Sequence, residues 1–340
     1  MNAQVLINTA SALVAKDKGI LAMDESTPTC NQRFAKLGIP QTVDARRAYR
    51  ELLITTPDLS MSISGAILYD ETIRQTKVDG TPLVESLLDA GIIPGIKVDK
   101  GAMRLAGCPG EKVTEGLDSL RERLVEYSKM GARFAKWRAV FAVGDSIPSQ
   151  GCIDANAQAL ARYAALCQEA DLVPVVEPEV LMDGEHTLQR CGEVTEAVLA
   201  TVFIQLRRQQ VMLEGMILKP NMVVPGLTCP QQESIAEVAE ATVRCLLRVV
   251  PAAVPGIAFL SGGQSARLSS ARLNAMNERY KSQLPWALAF SFARAIQQPA
   301  LEIWRGEATQ MKIAQKALYH RARCNQAARR GEYDDVMEGD

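Results

Sequence analysis

Histidine is scarce in this chain, which has only two among its 340 residues, His186 and His320. Zinc and iron centres with histidine ligands bring two or three imidazoles into one pocket, and a Ser-His-Asp relay needs at least one well-placed histidine. Both histidines lie in segments with the pattern of a helix or of a helix entry. The sequence therefore predicts no metal site, and it leaves lysines and carboxylates to carry any chemistry.

Three further absences narrow the class of protein. The eight cysteines include no Cys-x-x-Cys pair and no closely spaced framework, which favours a reducing cytoplasm. No run of about 18 apolar residues occurs, and residues 1–19 lack the basic and apolar segments of a signal peptide, so we expect neither membrane spanning nor secretion. The formal net charge of -1 provides no field for nucleic acid or an anionic membrane, so any anion site must be local.

What the sequence does contain is an alternation of short apolar runs and helical patterns. The runs lie at residues 19–24, 65–69, 92–99, 132–138, 172–179, 216–221, 256–261 and 286–291. Amphipathic patterns separate them, for example Leu117, Leu120, Leu124 and Tyr127 on one helix face. Apolar strands that alternate with such helices form parallel sheets, and eight units favour a closed (β/α)8 TIM barrel of the α/β class.

An open, doubly wound sheet is the alternative fold for this pattern, but no Gly-x-Gly-x-x-Gly motif of a dinucleotide domain follows the first run.

No linker divides the chain, so we expect one domain over residues 1–340. Helices at roughly residues 3–14 and 308–328 would be additions to the barrel, and residues 331–340 are expected to form a short, mobile C-terminal tail. Pro174 and Pro178 each remove a backbone donor, which predicts a fifth strand that ends early or is irregular.

Lys219 lies at the end of the sixth apolar run and would carry an ammonium group into the protein interior. Desolvation disfavours the protonated form of a lysine and leaves a nucleophilic amine of the kind that forms Schiff bases. A lysine at the end of a strand can instead extend its charge to the surface. This segment alone does not separate the two interpretations.

Charged residues stand two positions apart at the ends of three other predicted strands. The pairs are Lys97 with Asp99, Lys136 with Arg138, and Glu177 with Glu179. Residues i and i+2 of a strand share a face, and the carboxyl ends of barrel strands form the active-site rim, so these side chains should point inward. Val98 and Trp137, which stand between the charges, should pack under the outer helices.

Together with Asp24, Lys219 and Arg294, these pairs would form a ring of both signs around one cavity. A buried charge is costly unless it is paired, so such a ring indicates a functional site. Our hypothesis is that Lys219, beside the ammonium group of Lys136, attacks a ketone carbonyl to form an iminium. A carboxylate such as Asp24 would then remove a hydroxyl proton and allow a carbon–carbon bond to break, while Glu177 and Glu179 move the other protons.

The turn from Ser261 to Ser265, which contains Gly262 and Gly263, follows the seventh predicted strand and leads into a helix. Such a turn presents backbone N–H groups to an anion, and the loops after strands seven and eight are the usual phosphate site of TIM barrels. Arg294, after the eighth strand, strengthens this interpretation. A second phosphate site would lie on the opposite rim, at Ser26, Thr29, Arg33, Lys97 and Arg138, although Ser26 and Thr29 could instead cap the following helix.

Six ordered motifs resemble those of one known family. They are GILAMDEST at 19–27, GIKVDKG at 95–101, FAKWR at 134–138, VEPE at 176–179, LKPNM at 218–222 and FLSGGQS at 259–265. The chain resembles class I (Schiff-base) fructose-bisphosphate aldolase over nearly its whole length. The resemblance implies a metal-independent lyase of glycolysis and gluconeogenesis that needs no cofactor. Such a lyase cleaves fructose 1,6-bisphosphate reversibly into dihydroxyacetone phosphate and glyceraldehyde 3-phosphate.

The resemblance also implies a role for each site residue. Lys219 would be the iminium lysine, Lys136 its electrostatic partner and Asp24 the residue that drives cleavage. Glu177 and Glu179 would be the proton-transfer and lysine-contacting carboxylates. The substrate would be held by Ser261, Gly262, Gly263 and Arg294 at one phosphate, and by Ser26, Thr29, Arg33, Lys97, Asp99 and Arg138 around the other. A cytoplasmic homotetramer without nucleic-acid or membrane partners is expected by analogy.

The chain departs from the family pattern at three places. Family members commonly end in a mobile tail with a terminal tyrosine tied to proton exchange on the enamine, whereas the last tyrosine here is Tyr333. Gln32 stands where a lysine is common, and Phe292 replaces a tyrosine. None of these changes touches Lys219, so we expect activity with an altered turnover or substrate preference. The preference among fructose 1,6-bisphosphate, fructose 1-phosphate and sedoheptulose 1,7-bisphosphate stays open.

Two other functions fit parts of the pattern. In a pyridoxal-phosphate barrel, Lys219 would hold the cofactor and the Ser-Gly-Gly turn its phosphate. A non-catalytic barrel would keep the ring of charges to bind sugar phosphates or a protein partner.

Overall fold

The computed structural model describes residues 1–339 and contains the predicted barrel. The strands are β1 (Gly19–Ala22), β2 (Ile63–Leu68), β3 (Ile93–Lys97), β4 (Gly101–Arg104), β5 (Lys112–Glu115), β6 (Phe134–Phe141), β7 (Val173–Val180), β8 (Ile217–Leu218), β9 (Gly256–Phe259) and β10 (Ala287–Phe290). Eight of them form one parallel sheet in the order β1-β2-β3-β6-β7-β8-β9-β10. The backbone N–H of Ala22 donates to the carbonyl of Phe292 over 3.1 Å, which joins the first strand to the end of the last.

Helices surround this sheet, as the alternating pattern predicts. They are α1 (Ala3–Leu13), α2 (Thr27–Ala35), α3 (Val43–Ile54), α4 (Asp70–Ile73), α5 (Leu83–Asp89), α6 (Leu120–Lys129), α7 (Gln150–Glu169), α8 (Leu188–Arg208), α9 (Ile235–Val249), α10 (Ala266–Tyr280), α11 (Arg294–Trp304) and α12 (Met311–Arg330). The additions α1 and α12 are those expected from the terminal patterns. No helix within residues 1–339 is both long and apolar enough to cross a membrane.

Two apolar cores lie on the two faces of the sheet. The smaller one fills the barrel interior at its amino-terminal end, where Leu6 and Leu13 of α1 pack against Phe134 and Ile217. Phe134 takes the space that a side chain at Gly95 would need, since a Cβ there would lie 2.2 Å from the ring. This filling confines charged side chains to the opposite end of the barrel.

The larger core lies between the strands and the helices, and it confirms the predicted orientation of the strand residues. Trp137 and Val98 are buried in it, and the Trp137 ring lies 5.5 Å from that of Tyr163 on α7. Because side chains alternate along a strand, Lys136 and Arg138 point to the other face. The period of two therefore directs the charges to the interior.

β7 does not end early, although Pro174 and Pro178 lie within it. It pairs with β6 at every position from Val173 to Val180. Its pairing with β8 is confined to Val175 and Val176, between the two prolines. The prolines therefore leave the pairing with β6 intact. The missing N–H groups affect only the side of β7 that faces β8, and β8 is too short to pair at those positions.

Two further segments lie outside the eight-stranded barrel. The antiparallel hairpin of β4 and β5 was not predicted, and its start lines the barrel mouth at Lys100 and Gly101. The C-terminal segment packs back on the fold, because Tyr333 is buried and donates its backbone N–H to Asn274 over 2.9 Å. Its hydroxyl donates to Glu338 over 2.6 Å. The predicted mobility of the tail stays a prediction, and Asp340 lies outside the described residues.

Candidate active site

The carboxyl ends of the barrel strands open into one cavity of about 1330 Å³. All of the predicted site residues except Gly263 line it, namely Asp24, Ser26, Thr29, Arg33, Lys97, Asp99, Lys136, Arg138, Glu177, Glu179, Lys219, Ser261, Gly262 and Arg294. They come from seven strands, from the loops that follow them, or from the helices α2 and α11. The ring of charges inferred from the sequence is therefore present in space.

The centre of the ring is a chain of four buried charges. Lys136 Nζ lies 2.7 Å from Asp24 Oδ2 and 3.1 Å from Glu177 Oε2. Lys219 Nζ lies 3.3 Å from the other oxygen, Glu177 Oε1. Only 3% of Lys219 is exposed to solvent, so the alternative that this lysine extends to the surface is wrong. Glu177 thus links the two lysines through one carboxylate.

The pairing within this chain fixes its protonation. Burial opposes the charge on Lys136, but Asp24 and Glu177 outweigh burial and raise the pKa of Lys136 above its usual value. Burial also works against the charge of Asp24, yet Lys136 and Lys219 lower the pKa of Asp24 to about 2. The pKa of Glu177 is lowered in the same way, against burial, by the two lysines. At neutral pH the chain therefore holds two carboxylates around a fixed Lys136 cation.

Lys97 and Arg138, on the rim beside this chain, each have a carboxylate partner. Lys97 Nζ lies 2.6 Å from Asp99 Oδ1, and it also donates to the Asp99 carbonyl over 2.8 Å. Arg138 donates its Nε–H to Glu179, and this interaction outweighs burial and raises the pKa of Arg138. Glu177 is therefore the carboxylate paired with Lys219, while Glu179 is paired with Arg138.

Arg33, on α2, also lines the cavity and is held by the protein itself. It forms an ion pair with Glu25 and donates to Gln297 over 3.3 Å and to Gln298 over 3.2 Å. The same Glu25 carboxylate accepts from buried Arg50 over 2.7 Å. The guanidinium of Arg33 is thus tied to neighbouring side chains.

Ser26 and Thr29 stand at the start of α2, near Arg33. Ser26 occupies the N-cap position, but its hydroxyl makes no capping hydrogen bond. The hydroxyls of Ser26 and Thr29 instead lie 3.0 Å apart. Capping therefore does not account for Ser26, and both hydroxyls line the cavity.

The opposite end of the cavity is built largely from backbone. We call residues 261–265 the phosphate loop, after the role that the sequence predicts for them. Gly262 and Gly263 have φ angles of +55° and +87°, which glycine adopts without the strain that a side chain would cause. Ser265 then caps α10 by accepting from the Leu268 N–H over 3.2 Å. The first turn of α10 contains no acidic residue, so its N-terminus favours an anion.

Arg294 faces this loop from the start of α11. Its side chain is exposed, and a Cβ on Gly263 would lie 3.5 Å from its guanidinium. Among residues 1–339 no carboxylate pairs with it. Within residues 1–339, Arg294 is therefore a cation without a carboxylate partner beside residues 261–265.

Ser291 and Glu25 are two of the cavity residues that the sequence reasoning missed. Ser291 lines the cavity, is buried and has no hydrogen-bond partner for its hydroxyl within the described structure. It closes the eighth apolar run, so the argument applied to the other strand ends would have found it. Glu25 also lines the cavity, but its position beside Asp24 gave no signal that it would hold Arg33 and Arg50.

Comparisons with known proteins agree with this geometry. The family model described as fructose-bisphosphate aldolase class-I matches residues 5–340. A protein of Xylella fastidiosa named probable fructose-bisphosphate aldolase class 1 is 58% identical over 98% of this chain and 99% of that relative. Fructose-bisphosphate aldolase 6, cytosolic, of Arabidopsis thaliana is 50% identical over 97% of this chain and 92% of that protein.

A solved structure gives the same result for the fold. Fructose-bisphosphate aldolase from Plasmodium falciparum, in complex with TRAP and a small-molecule inhibitor, superposes with a TM-score of 0.96 at 45% identity. The match covers 98% of this chain and 97% of that one. Sequence and structure thus agree over almost the full length, and the chain belongs to the class I fructose-bisphosphate aldolase family.

Proposed function

We propose that this protein cleaves fructose 1,6-bisphosphate reversibly into dihydroxyacetone phosphate and glyceraldehyde 3-phosphate through an iminium on Lys219. The observation that carries the proposal is the buried contact of Lys219 Nζ with Glu177, 3.3 Å away, inside a cavity that also holds Asp24 and Lys136. A lysine amine and a proton-transfer carboxylate in contact are the pair that Schiff-base chemistry needs. Family membership favours this chemistry over a pyridoxal-phosphate barrel or a non-catalytic barrel.

The chain of four charges suggests an order of proton transfers. Lys219 attacks the C2 ketone, and Glu177, beside its amine, supplies and removes the protons that convert the carbinolamine into the iminium. The iminium then accepts the electron pair of the C3–C4 bond. Asp24 takes the proton of the C4 hydroxyl as that bond breaks, because its lowered pKa keeps it ionised. The enamine left on Lys219 then takes a proton at C3, and water hydrolyses the resulting iminium to release dihydroxyacetone phosphate. Between these proton transfers Lys136 favours the ionised form of both carboxylates.

The two ends of the cavity would hold the two phosphates. The phosphate loop and Arg294 suit the phosphate on the dihydroxyacetone half, since backbone N–H groups, a helix N-terminus and a cation converge there. We assign Ser26, Thr29, Lys97, Arg138 and Arg33 to the other phosphate. Glu179 holds Arg138 in place in this proposal, and Asp99 does the same for Lys97.

Trapping the iminium tests the proposal directly. Borohydride with dihydroxyacetone phosphate should add one triose phosphate to the protein, and mass spectrometry of peptides should find it on Lys219. Lys219→Ala should lower cleavage of fructose 1,6-bisphosphate by several orders of magnitude, because no other group replaces the covalent route. Lys100→Ala, which removes an exposed lysine from the same cavity, is the matched control and should retain the activity. A chelator should change nothing.

Equal rates for wild type and Lys219→Ala would overturn the Schiff-base assignment. Absorbance near the visible edge in the purified protein would favour the pyridoxal-phosphate alternative, and a protein that binds fructose 1,6-bisphosphate without cleaving it would favour the non-catalytic one.

We further propose a homotetramer in the cytoplasm. The oligomer rests on analogy with the family. The location rests on relatives such as the cytosolic Arabidopsis enzyme, although a Chlamydomonas reinhardtii relative at 50% identity is named chloroplastic. Analytical ultracentrifugation at micromolar concentration tests the tetramer, and a single species of monomer mass would contradict it.

A further inference from the structure

A buried arginine stands directly behind the phosphate loop. Arg272, on α10, is only 4% exposed and does not line the cavity. No carboxylate within residues 1–339 forms an ion pair with it, and its Nε–H has no hydrogen-bond partner there. An unpaired buried charge is among the most costly features of a fold. A charge kept at such a cost invites a functional explanation.

The hydrogen bond that Arg272 does make leads to the loop. Its Nη1–H donates to Gln264 Oε1 over 2.8 Å. Gln264 is itself buried, and its backbone N–H closes the turn around the two glycines by donating to the Ser261 carbonyl over 3.0 Å. Its side-chain amide also contacts the sulfur of Met222 at 3.7 Å. Arg272 is therefore joined through a single side chain to the turn that presents its N–H groups to the cavity.

The charge of Arg272 is offset only in part, by Glu233. Burial lowers the pKa of Arg272 to about 10, against a weaker opposing influence of Glu233, so the guanidinium is charged at neutral pH. The first turn of α10 has no acidic residue that would offset it. In a medium of low dielectric such a charge adds to the positive end of the helix.

We propose that Arg272 is a positioning residue for the phosphate of the dihydroxyacetone half: through Gln264 it holds the phosphate loop in its anion-binding form, and its charge adds to the attraction for the anion. The inference rests on the proposed function, because it takes this loop as the site of that phosphate. Arg272 touches no substrate atom and acts only through the loop.

The chain contains a matched control for this residue. Arg329 is equally buried, at 3% exposure, and burial lowers its pKa to about 10 as well. Its Nε–H is also without a partner within the described structure. It donates to the carbonyl oxygens of Val14 and Lys18 before β1, at the opposite end of the barrel. Loss of Arg329 therefore removes a similar buried charge far from the loop.

The experiment compares Arg272→Met, Arg272→Lys, Gln264→Met and Arg329→Met. For each we measure kcat and KM with fructose 1,6-bisphosphate, the dissociation constant of inorganic phosphate by calorimetry, and Tm. Arg272→Met and Gln264→Met should raise KM and the phosphate dissociation constant about tenfold, the loss expected for one hydrogen bond to a charged group, while kcat changes less than about twofold. Arg272→Lys should recover part of the loss. Arg329→Met should lower Tm without changing phosphate binding.

Equal phosphate binding in Arg272→Met and wild type, or an equal loss in Arg272→Met and Arg329→Met, would overturn the proposal. If Arg272→Met does not fold, Gln264→Met decides on the same criteria. The calorimetry separates this inference from the proposed function: an absence of cleavage by wild type would refute the aldolase activity, whereas the phosphate affinities of the variants would still test Arg272.

Discussion

The two ends of the cavity differ in whether their cations are paired with carboxylates. At one end Lys97 and Arg138 are each paired with a carboxylate of the protein, and Arg33 on α2 is paired with Glu25. At the other end Arg294 has no such partner within residues 1–339, and the phosphate loop supplies backbone N–H groups instead of side chains. An anion that reaches the first end must share each cation with a carboxylate. At the second end no carboxylate of residues 1–339 pairs with Arg294 and competes with the anion.

This difference separates the charges that hold the site from those that attract the substrate. Paired cations order their neighbours and keep carboxylates ionised, but much of their field is already neutralised. An open cation beside a helix N-terminus contributes its full field to an incoming phosphate. We therefore expect pairs to matter for turnover and stability, and the open end to dominate the affinity for phosphate.

The largest effect should come from breaking the central buried pairing, with Lys136→Met. Without this cation, Asp24 and Glu177 lose their main partner and can no longer stay ionised together, so kcat should fall about a thousandfold, as for loss of a preorganised catalytic charge. Lys136→Arg, which keeps the charge, should recover part of kcat. A kcat within tenfold of wild type would show that the pairing is dispensable.

The same variant has a pH signature whose sign follows from Asp24. Its folded pKa of about 2 lies below its ordinary value of 3.8, so its contribution to stability is complete above pH 3.8 and is lost as the pH falls towards 2. In Lys136→Met, burial should instead raise the pKa of Asp24. The acid limb of the kcat profile should then move to higher pH, and a limb at the wild-type position would argue against Lys136 as the cause.

Arg294→Ala sharpens the comparison at the open end and should have the next largest effect. Loss of a direct, charge-assisted contact with phosphate should lower kcat/KM about a hundredfold, through KM. Fructose 1-phosphate should suffer as much as fructose 1,6-bisphosphate, because both carry that phosphate. Arg267→Ala, which removes an exposed arginine of α10 that pairs with Glu338, is the control and should change kcat/KM little.

Glu25→Gln breaks the ion pairs of Glu25 with Arg33 and Arg50, and it should affect catalysis least. It leaves Arg33 and buried Arg50 without their carboxylate, so the free energy of unfolding should fall by about 3 kcal/mol in urea titrations. KM should change less than about threefold, because the charge of Arg33 mainly orders its surroundings. Glu51→Gln, which breaks a more exposed helical pair with Arg47, should cost under about 1 kcal/mol. A large rise in KM with unchanged stability would show that Arg33 binds the substrate rather than ordering its surroundings.

The sequence was enough to predict the barrel and the inward charges, because both follow from local periods. Apolar runs mark the strands, and the alternation at Lys136, Trp137 and Arg138 decides which side chains enter the cavity. Such patterns are set by neighbours in the chain.

The partners of those charges could not be predicted, because ion pairs join residues that are distant in the sequence. Nothing in the sequence indicated that Glu177 bridges two lysines or that Glu25 holds Arg33. The burial of Arg272 could not be predicted either, because an arginine in an amphipathic helix is usually a surface residue. The hairpin of β4 and β5 also gave too short a pattern to be recognised.

The contact between Ala22 and Phe292 has a consequence for how the molecule forms during synthesis. β1 leaves the ribosome early, but one of its edges has no partner until β10 has been made. Pairing between the two ends of a chain is slow, and an exposed strand edge invites association with other chains. A nascent or truncated polypeptide that lacks β10 therefore exposes both a strand edge and the apolar interior of the barrel.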